Sequence, residues 1–161
     1  RSVTLLDQSA GTSVTYSRQS LYSGMTPSGG LRFSPQTAVY PVWPPQGEFR
    51  SGSVDWSQTQ QWKSGWLRAR TRTQFLTTSH SDQRGRLEFV LEGPALEVAN
   101  GLEWDIASLL VTDGHGGMYY AAQIPAGASA ELVPATNQNR RDFAALVREN
   151  APRIPEFLTN T

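Results

Sequence analysis

Two histidines, His80 and His115, each stand two residues from an aspartate, Asp82 and Asp113. An imidazole oriented by a carboxylate is the base of a nucleophilic hydrolase when a serine lies within hydrogen-bond reach. No G-x-S-x-G elbow or comparable nucleophile motif accompanies either pair. Both histidines fall in polar, turn-rich stretches and read first as solvent-exposed turn residues. They are far apart in the chain and lack the close spacing of a two-histidine metal motif. Glycoside hydrolysis needs only two carboxylates roughly 5 to 9 Å apart. Asp55 beside Trp56, and Glu103 and Asp105 flanking Trp104, are the carboxylate-and-ring neighbourhoods that a sugar site uses.

The five tryptophans, Trp43, Trp56, Trp62, Trp66 and Trp104, would form a carbohydrate-binding face if two or three lay exposed and coplanar. The competing reading is core or strand-edge packing, the usual place of tryptophan in a β-domain. The sharpest local pattern is Arg68, Arg70 and Arg72. On a strand this spacing puts three guanidinium groups on one face, about 7 Å apart. Such a row could grip anionic lipid headgroups, lipopolysaccharide phosphates or an acidic partner domain. It could equally be a solvated face paired with Glu88 and Glu92 of a neighbouring strand. The candidate binding residues are thus Arg68, Arg70, Arg72, Trp62 and Trp66.

Other chemistries find no support. The chain has no cysteine, which removes thiolate nucleophiles, disulfides and thiolate metal sites. Asp113-Gly114-His115-Gly116-Gly117 offers calcium a single carboxylate, and the glycine-rich loops lack a phosphate-binding lysine. No cofactor is expected. Fourteen basic and fourteen acidic residues cancel, so no net field draws nucleic acid. No run approaches the roughly 18 apolar residues of a membrane helix, and the chain reads as soluble. It opens on Arg1 and ends on Leu158-Thr159-Asn160-Thr161, as a segment of a larger protein would.

The elements that must position these residues are strands. With 38% apolar and 17% charged residues and abundant Gly, Pro, Ser and Thr, the composition suits short strands and many turns rather than a helical bundle. Strands are expected at 3–6 and 13–22, with short ones at 31–33 and 38–42 inside a breaker-rich stretch. The spacing of Trp62 and Trp66 predicts one face of a short helical turn ending at Gly65. Residues 66–78 alternate, with Leu67, Ala69, Thr71, Thr73 and Phe75 on one side and the arginines on the other. Leu87, Phe89 and Leu91 are expected in its hairpin partner. Further strands follow at 95–98, 105–112, 118–124 and 128–133, with positive φ angles expected at Asn100-Gly101, Gly116-Gly117 and Gly127. Asn139 is expected to cap a helix with an apolar face of Phe143, Leu146 and Val147, ending before Pro152.

Two segments carry a resemblance: Val54-Asp55-Trp56-Ser57-Gln58-Thr59-Gln60-Gln61-Trp62 with Gly65-Trp66-Leu67, and Val98-Ala99-Asn100-Gly101-Leu102 with Asp105-Ile106, Leu109, Asp113, Gly116, Tyr119-Tyr120 and Ala126-Gly127. Over about residues 54–133 the chain resembles extracytoplasmic β-domains of large membrane-associated proteins of planctomycete-type bacteria. The resemblance implies a bacterial envelope location, anchoring by membrane spans outside this chain, and no catalytic residues.

The expected fold is all-β, an Ig-like antiparallel β-sandwich over residues 1–135 with one C-terminal helix. Residues 136–161 form that helix and a tail, within the same domain or as a linker. The expected role is a non-catalytic structural or interaction domain of a larger envelope protein. Its partners would be other domains of the parent chain or an envelope protein, with anionic lipid or glycan as further candidates. A carbohydrate-binding module is the first alternative, and a hydrolase such as a glycosidase the second.

Overall fold

The structure, a computed structural model, describes residues 1–42, 53–55, 57, 59–92 and 95–152. Among them the fold is all-β and antiparallel, with a single C-terminal helix, and its contacts gather into two compact units. The first comprises Arg1–Asp7, Thr12–Asp82 and Asn150–Thr161, the second Gln8–Gly11 and Gln83–Glu149. No helix among the described residues is long and apolar enough to cross a membrane.

The first unit is sandwich-like. It contains β1 (Ser2–Asp7), β2 (Thr12–Tyr22), β3 (Leu31–Arg32), β4 (Thr37–Val42), β5 (Ser53–Asp55), β6 (Gln61–Ser64) and β7 (Arg72–Asp82). Four of these form a sheet in the order β1-β2-β7-β4, and the short ones a second sheet in the order β3-β6-β5. Period-two alternation along β7 sends Phe75 and Thr77 to one face and Leu76 and Thr78 to the other. Phe75 meets Val39 of β4 and Trp62 of β6 in a buried cluster that joins the two sheets. Beyond it the same face turns polar. Thr77 and Ser13 are buried, and each hydroxyl finds a cross-strand partner, Ser17 at 2.7 Å and Ser81 at 2.8 Å. Mutual hydrogen bonding is what lets these hydroxyls sit away from water.

The second unit is a five-stranded sheet of β8 (Leu87–Glu92), β9 (Ala95–Asn100), β10 (Ile106–Thr112), β11 (Met118–Ile124) and β12 (Ser129–Pro134), ordered β10-β11-β12-β9-β8. Strand β12 divides its pairing. Ser129 to Leu132 lie against β9, whereas Val133 and Pro134 lie against β11. Val98, Ala121, Ile124 and Leu132 form this unit's buried cluster.

Helix α1 (Asn137–Asn150) follows. Its cap is Thr136 rather than the expected Asn139. The Thr136 hydroxyl accepts the Asn139 N–H at 3.1 Å, and Asn139 Oδ1 accepts the Thr136 N–H at 3.0 Å. This reciprocal pair is a capping box, with Asn139 at its third helical position. No helix residue is buried, and Leu146 and Val147 are each 45% exposed. Thr136→Ala is therefore expected to cost about 1 kcal/mol of helix stability. Helical circular dichroism should fall while the unfolding midpoint of the sheets stays put; an equal fall in both would show that the helix supports the core.

Two expected arrangements do not form. Trp62 lies on strand β6, not on a helical turn, because it takes a register place opposite Leu31 and Val54. The hairpin between residues 66–78 and 87–91 is also absent, since β7 pairs with β2 and β4 and β8 pairs with β9.

Candidate functional site

The arginine comb requires a strand, and the backbone withholds it. Residues 68–71 form a turn in which the Thr71 N–H donates to the Arg68 carbonyl and the Arg70 N–H donates to the Ser23 carbonyl. Arg70 takes a left-handed φ of 59°, and β7 opens only at Arg72. Arg68, Arg70 and Arg72 are all exposed, but they do not share one strand face. Their expected partner Glu88 instead binds Arg86, at 2.8 Å. The side chain of Glu92 lies outside the described residues.

The tryptophans divide. Trp62 is 4% exposed and meets Phe75 edge-on at 5.8 Å, so neither ring face is open to a sugar. Trp66 packs against the same cluster, with its indole N–H donating to the Gly29 carbonyl at 3.0 Å. Trp104 is 55% exposed. Trp43 and Trp56 lie outside the described residues.

Three aspartates are engaged with backbone. Asp55 Oδ1 accepts the Ser57 N–H at 3.0 Å and its hydroxyl at 2.7 Å, and Oδ2 meets Lys63 at 3.1 Å. The Ser57 N–H, then the Ser57 hydroxyl, then Lys63 hold this carboxyl well below the usual carboxylate range. A depressed folded-state value means that the linked stability is present above the unfolded value of about 3.9 and fades as pH falls through the folded one. In a carboxyl NMR titration, Lys63→Ala should raise the Asp55 midpoint only part of the way, because Ser57 remains. Full return to the free value would show that the ion pair alone sets it. Asp105 accepts the Ala126 N–H at 2.9 Å, and Asp113 accepts those of His115 and Gly117 at 2.8 and 2.7 Å.

His80 lines a cleft of about 740 Å³ with Ser13, Ser34, Ser79, Ser81 and Asp82. Serine, imidazole and carboxylate are thus neighbours in the chain. Strand alternation nevertheless directs Ser79 and Ser81 to the face opposite His80. The Ser81 hydroxyl is bound by Ser13 instead of being presented to an imidazole.

A feature the sequence did not announce lies on the outer face of the four-stranded sheet. Tyr16, Tyr40, Leu76, Thr78 and Pro152 line a groove of about 290 Å³. Tyr16 and Tyr40 are 37% and 49% exposed. The register places Tyr16 beside Thr78 and Tyr40 beside Leu76, so the rings flank β7 diagonally, roughly 12 Å apart by strand spacing. Each tyrosine occupies an outward strand position in its own segment. Only the insertion of β7 between β2 and β4 brings the two to one groove.

No protein-family model, curated protein or solved structure matches the chain.

Proposed function

We propose that the chain is a non-catalytic structural or interaction module of a larger bacterial envelope protein. The observation that carries this is the use made of its carboxylates: Asp55, Asp105 and Asp113 each hold backbone N–H groups of turns. The Asp55 carboxylate, held this way, is stabilised as an anion and serves poorly in proton transfer. The separation of His80 from the Ser79 and Ser81 hydroxyls across the faces of β7 points the same way. The envelope location, and anchoring by segments beyond this chain, rest on the resemblance of residues 54–133. Other domains of the parent chain, or a second envelope protein, are the partners this reading implies.

Fractionation of the epitope-tagged protein in its host tests the location. It should sediment with the envelope and become protease-accessible once the outer layer is permeabilised; recovery from the cytosol would remove the reading.

Carbohydrate binding stands as a second reading because of the Tyr16–Tyr40 groove. Two partly exposed rings beside Leu76 offer apolar faces of the kind on which sugar rings stack. A glycan array separates the two readings. Saturable binding that is lost in both Tyr16→Ala and Tyr40→Ala would favour the carbohydrate module, and a blank array would favour the structural one.

A further inference from the structure

Arg84, Gly85, Arg86 and Glu88 line a cavity of about 320 Å³ together with Ala99 and Gly101. All six residues belong to the second unit. Strand alternation explains the depression. Leu87 and Val98 turn toward the buried cluster of that unit, so Glu88 and its cross-strand partner Ala99 face the other way. The Gly101 N–H donates to the Arg86 carbonyl at 2.9 Å, which carries the pairing one step past the end of β9. Alanine and glycine leave this corner of the sheet bare, and the charged side chains stand around it.

The backbone that carries the arginines is pinned on both sides of Arg84. The Gln83 N–H donates to the Gly11 carbonyl at 2.8 Å. A Cβ on Gly85 would lie 2.5 Å from the Gly101 carbonyl, so this connection rests directly on the neighbouring main chain. Arg84 therefore projects from a fixed base, and a donor held this way loses less freedom when it binds. The donors are unequally used. Glu88 Oε1 accepts from both Nε and Nη2 of Arg86, each at 2.8 Å, which leaves Arg86 Nη1 uncommitted. The Arg84 guanidinium has no hydrogen bond or ion pair among the described residues, and the Gly85 N–H has no partner there either.

We propose that this cavity binds a small, singly charged carboxylate, taken by the Arg84 guanidinium as a two-oxygen fork with Arg86 Nη1 as a further donor. Geometry favours the carboxylate, because the planar guanidinium matches its two oxygens. Charge decides against a phosphate monoester. Two guanidinium groups and the Glu88 carboxylate leave one positive charge in the lining. A monoester carries close to two negative charges at neutral pH and would leave one of them unmatched beside Glu88. The volume lies at the low end for ligand pockets, and no aromatic ring lines it on which a sugar could stack. A free aliphatic acid and the terminal carboxylate of a polypeptide share this chemistry. Neither the envelope location nor the Tyr16–Tyr40 groove enters into the assignment.

Titration of the isotope-labelled full chain, followed through its amide NMR signals, tests this with butyrate, N-acetylglycine and inorganic phosphate as probes. Butyrate should shift the Gly85 and Gly101 signals saturably at millimolar concentration. N-acetylglycine copies the end of a polypeptide: equal affinity assigns the site to a free acid, and a several-fold tighter fit assigns it to a chain terminus. Arg84→Gln, which breaks no contact of the fold, should weaken butyrate about tenfold. Arg84→Lys keeps the charge without the fork and should recover only part of that loss. Glu88→Gln releases Arg86 and should tighten butyrate about threefold. Arg141→Gln, an exposed arginine of α1, is the control and should leave the titration unchanged. Unshifted Gly85 and Gly101 signals, phosphate bound more tightly than butyrate, wild-type affinity in Arg84→Gln, or weaker binding in Glu88→Gln would each overturn the assignment.

Discussion

Asn100→Ala is expected to destabilise the protein by about 3 to 4 kcal/mol, seen as a lowered urea midpoint with an unchanged denaturant slope. Asn100 ends β9 and is 1% exposed. Its amide nitrogen donates to the carbonyls of Trp104 at 2.9 Å, Ile124 at 3.1 Å and Pro125 at 3.1 Å. Its Oδ1 accepts the Leu102 N–H at 3.1 Å. The Asn100 backbone N–H donates to Ala128, and its carbonyl accepts the Gly127 N–H. One side chain therefore ties the end of β9 to the turn before β10 and to the turn between β11 and β12. Alanine leaves the Ile124 and Pro125 carbonyls without this donor beside a side-chain void, and an orphaned buried polar group costs about 1 to 3 kcal/mol.

Asn100→Asp sharpens the test. The carboxylate keeps the acceptor for Leu102 but turns an anion toward three carbonyl oxygens, so the loss should equal or exceed that of alanine. Hydrogen exchange should locate the damage in β9 to β12. A loss below about 1 kcal/mol for both variants would mean that water replaces the amide, and that the network is not what closes this unit.

The part of the chain around Asn100 was also the most legible from sequence. Residues 95–133 alternate cleanly and are broken by strong turn residues, so β9, β10, β11 and β12 fall within a residue or two of expectation. The glycines were less uniform. Gly116 and Gly127 take the expected positive φ, at 86° and 76°. Gly101 does not, and serves close approach: a Cβ there would lie 2.7 Å from the Arg86 carbonyl. Both uses select glycine, and the residue type alone does not distinguish them.

The arginine comb fails for a related reason. Alternation is evidence for a strand when one set of residues is buried, but Ala69 and Thr71 are small enough to sit exposed in a turn, and they do. The hairpin fails because register is long-range information. Strand β7 aligns with β2, Ser17 opposite Thr77 some 60 residues on, and with β4 on its other side. No local pattern records which strands are neighbours, so the expected partner of β7 was the next strand in the chain. The Tyr16–Tyr40 groove is invisible for the same reason, being made by two strands that meet only through a third. The tryptophans show the limit of residue type as a signal: Trp62 is core and Trp104 is surface, and both follow from the neighbours that the fold supplies.

Phe75→Ala should carry the largest apolar cost in the chain, about 4 kcal/mol, within the range found when large buried rings are truncated. Phe75 has no exposed surface and sits on β7, the strand flanked by β2 and β4. Its ring meets Trp62 at 5.8 Å and Phe33 at 6.1 Å, so truncation removes two aromatic contacts as well as the buried area. The loss is severe because the cluster is small: Val39, Trp62 and Phe75 are its buried members, and the opposing sheet contributes only Trp62 among them. Phe75→Leu, which keeps most of the volume, should cost less than about 1.5 kcal/mol. Phe75→Tyr keeps all of it and adds a hydroxyl among apolar side chains, so a cost above that of leucine would mark the site as dry. Trp62 supplies an internal reporter. In Phe75→Ala its emission should shift to the red as water enters the vacated space, and in Phe75→Leu it should not. An alanine variant that unfolds at the wild-type midpoint would show that the three-stranded sheet is held to the four-stranded one by something other than this ring.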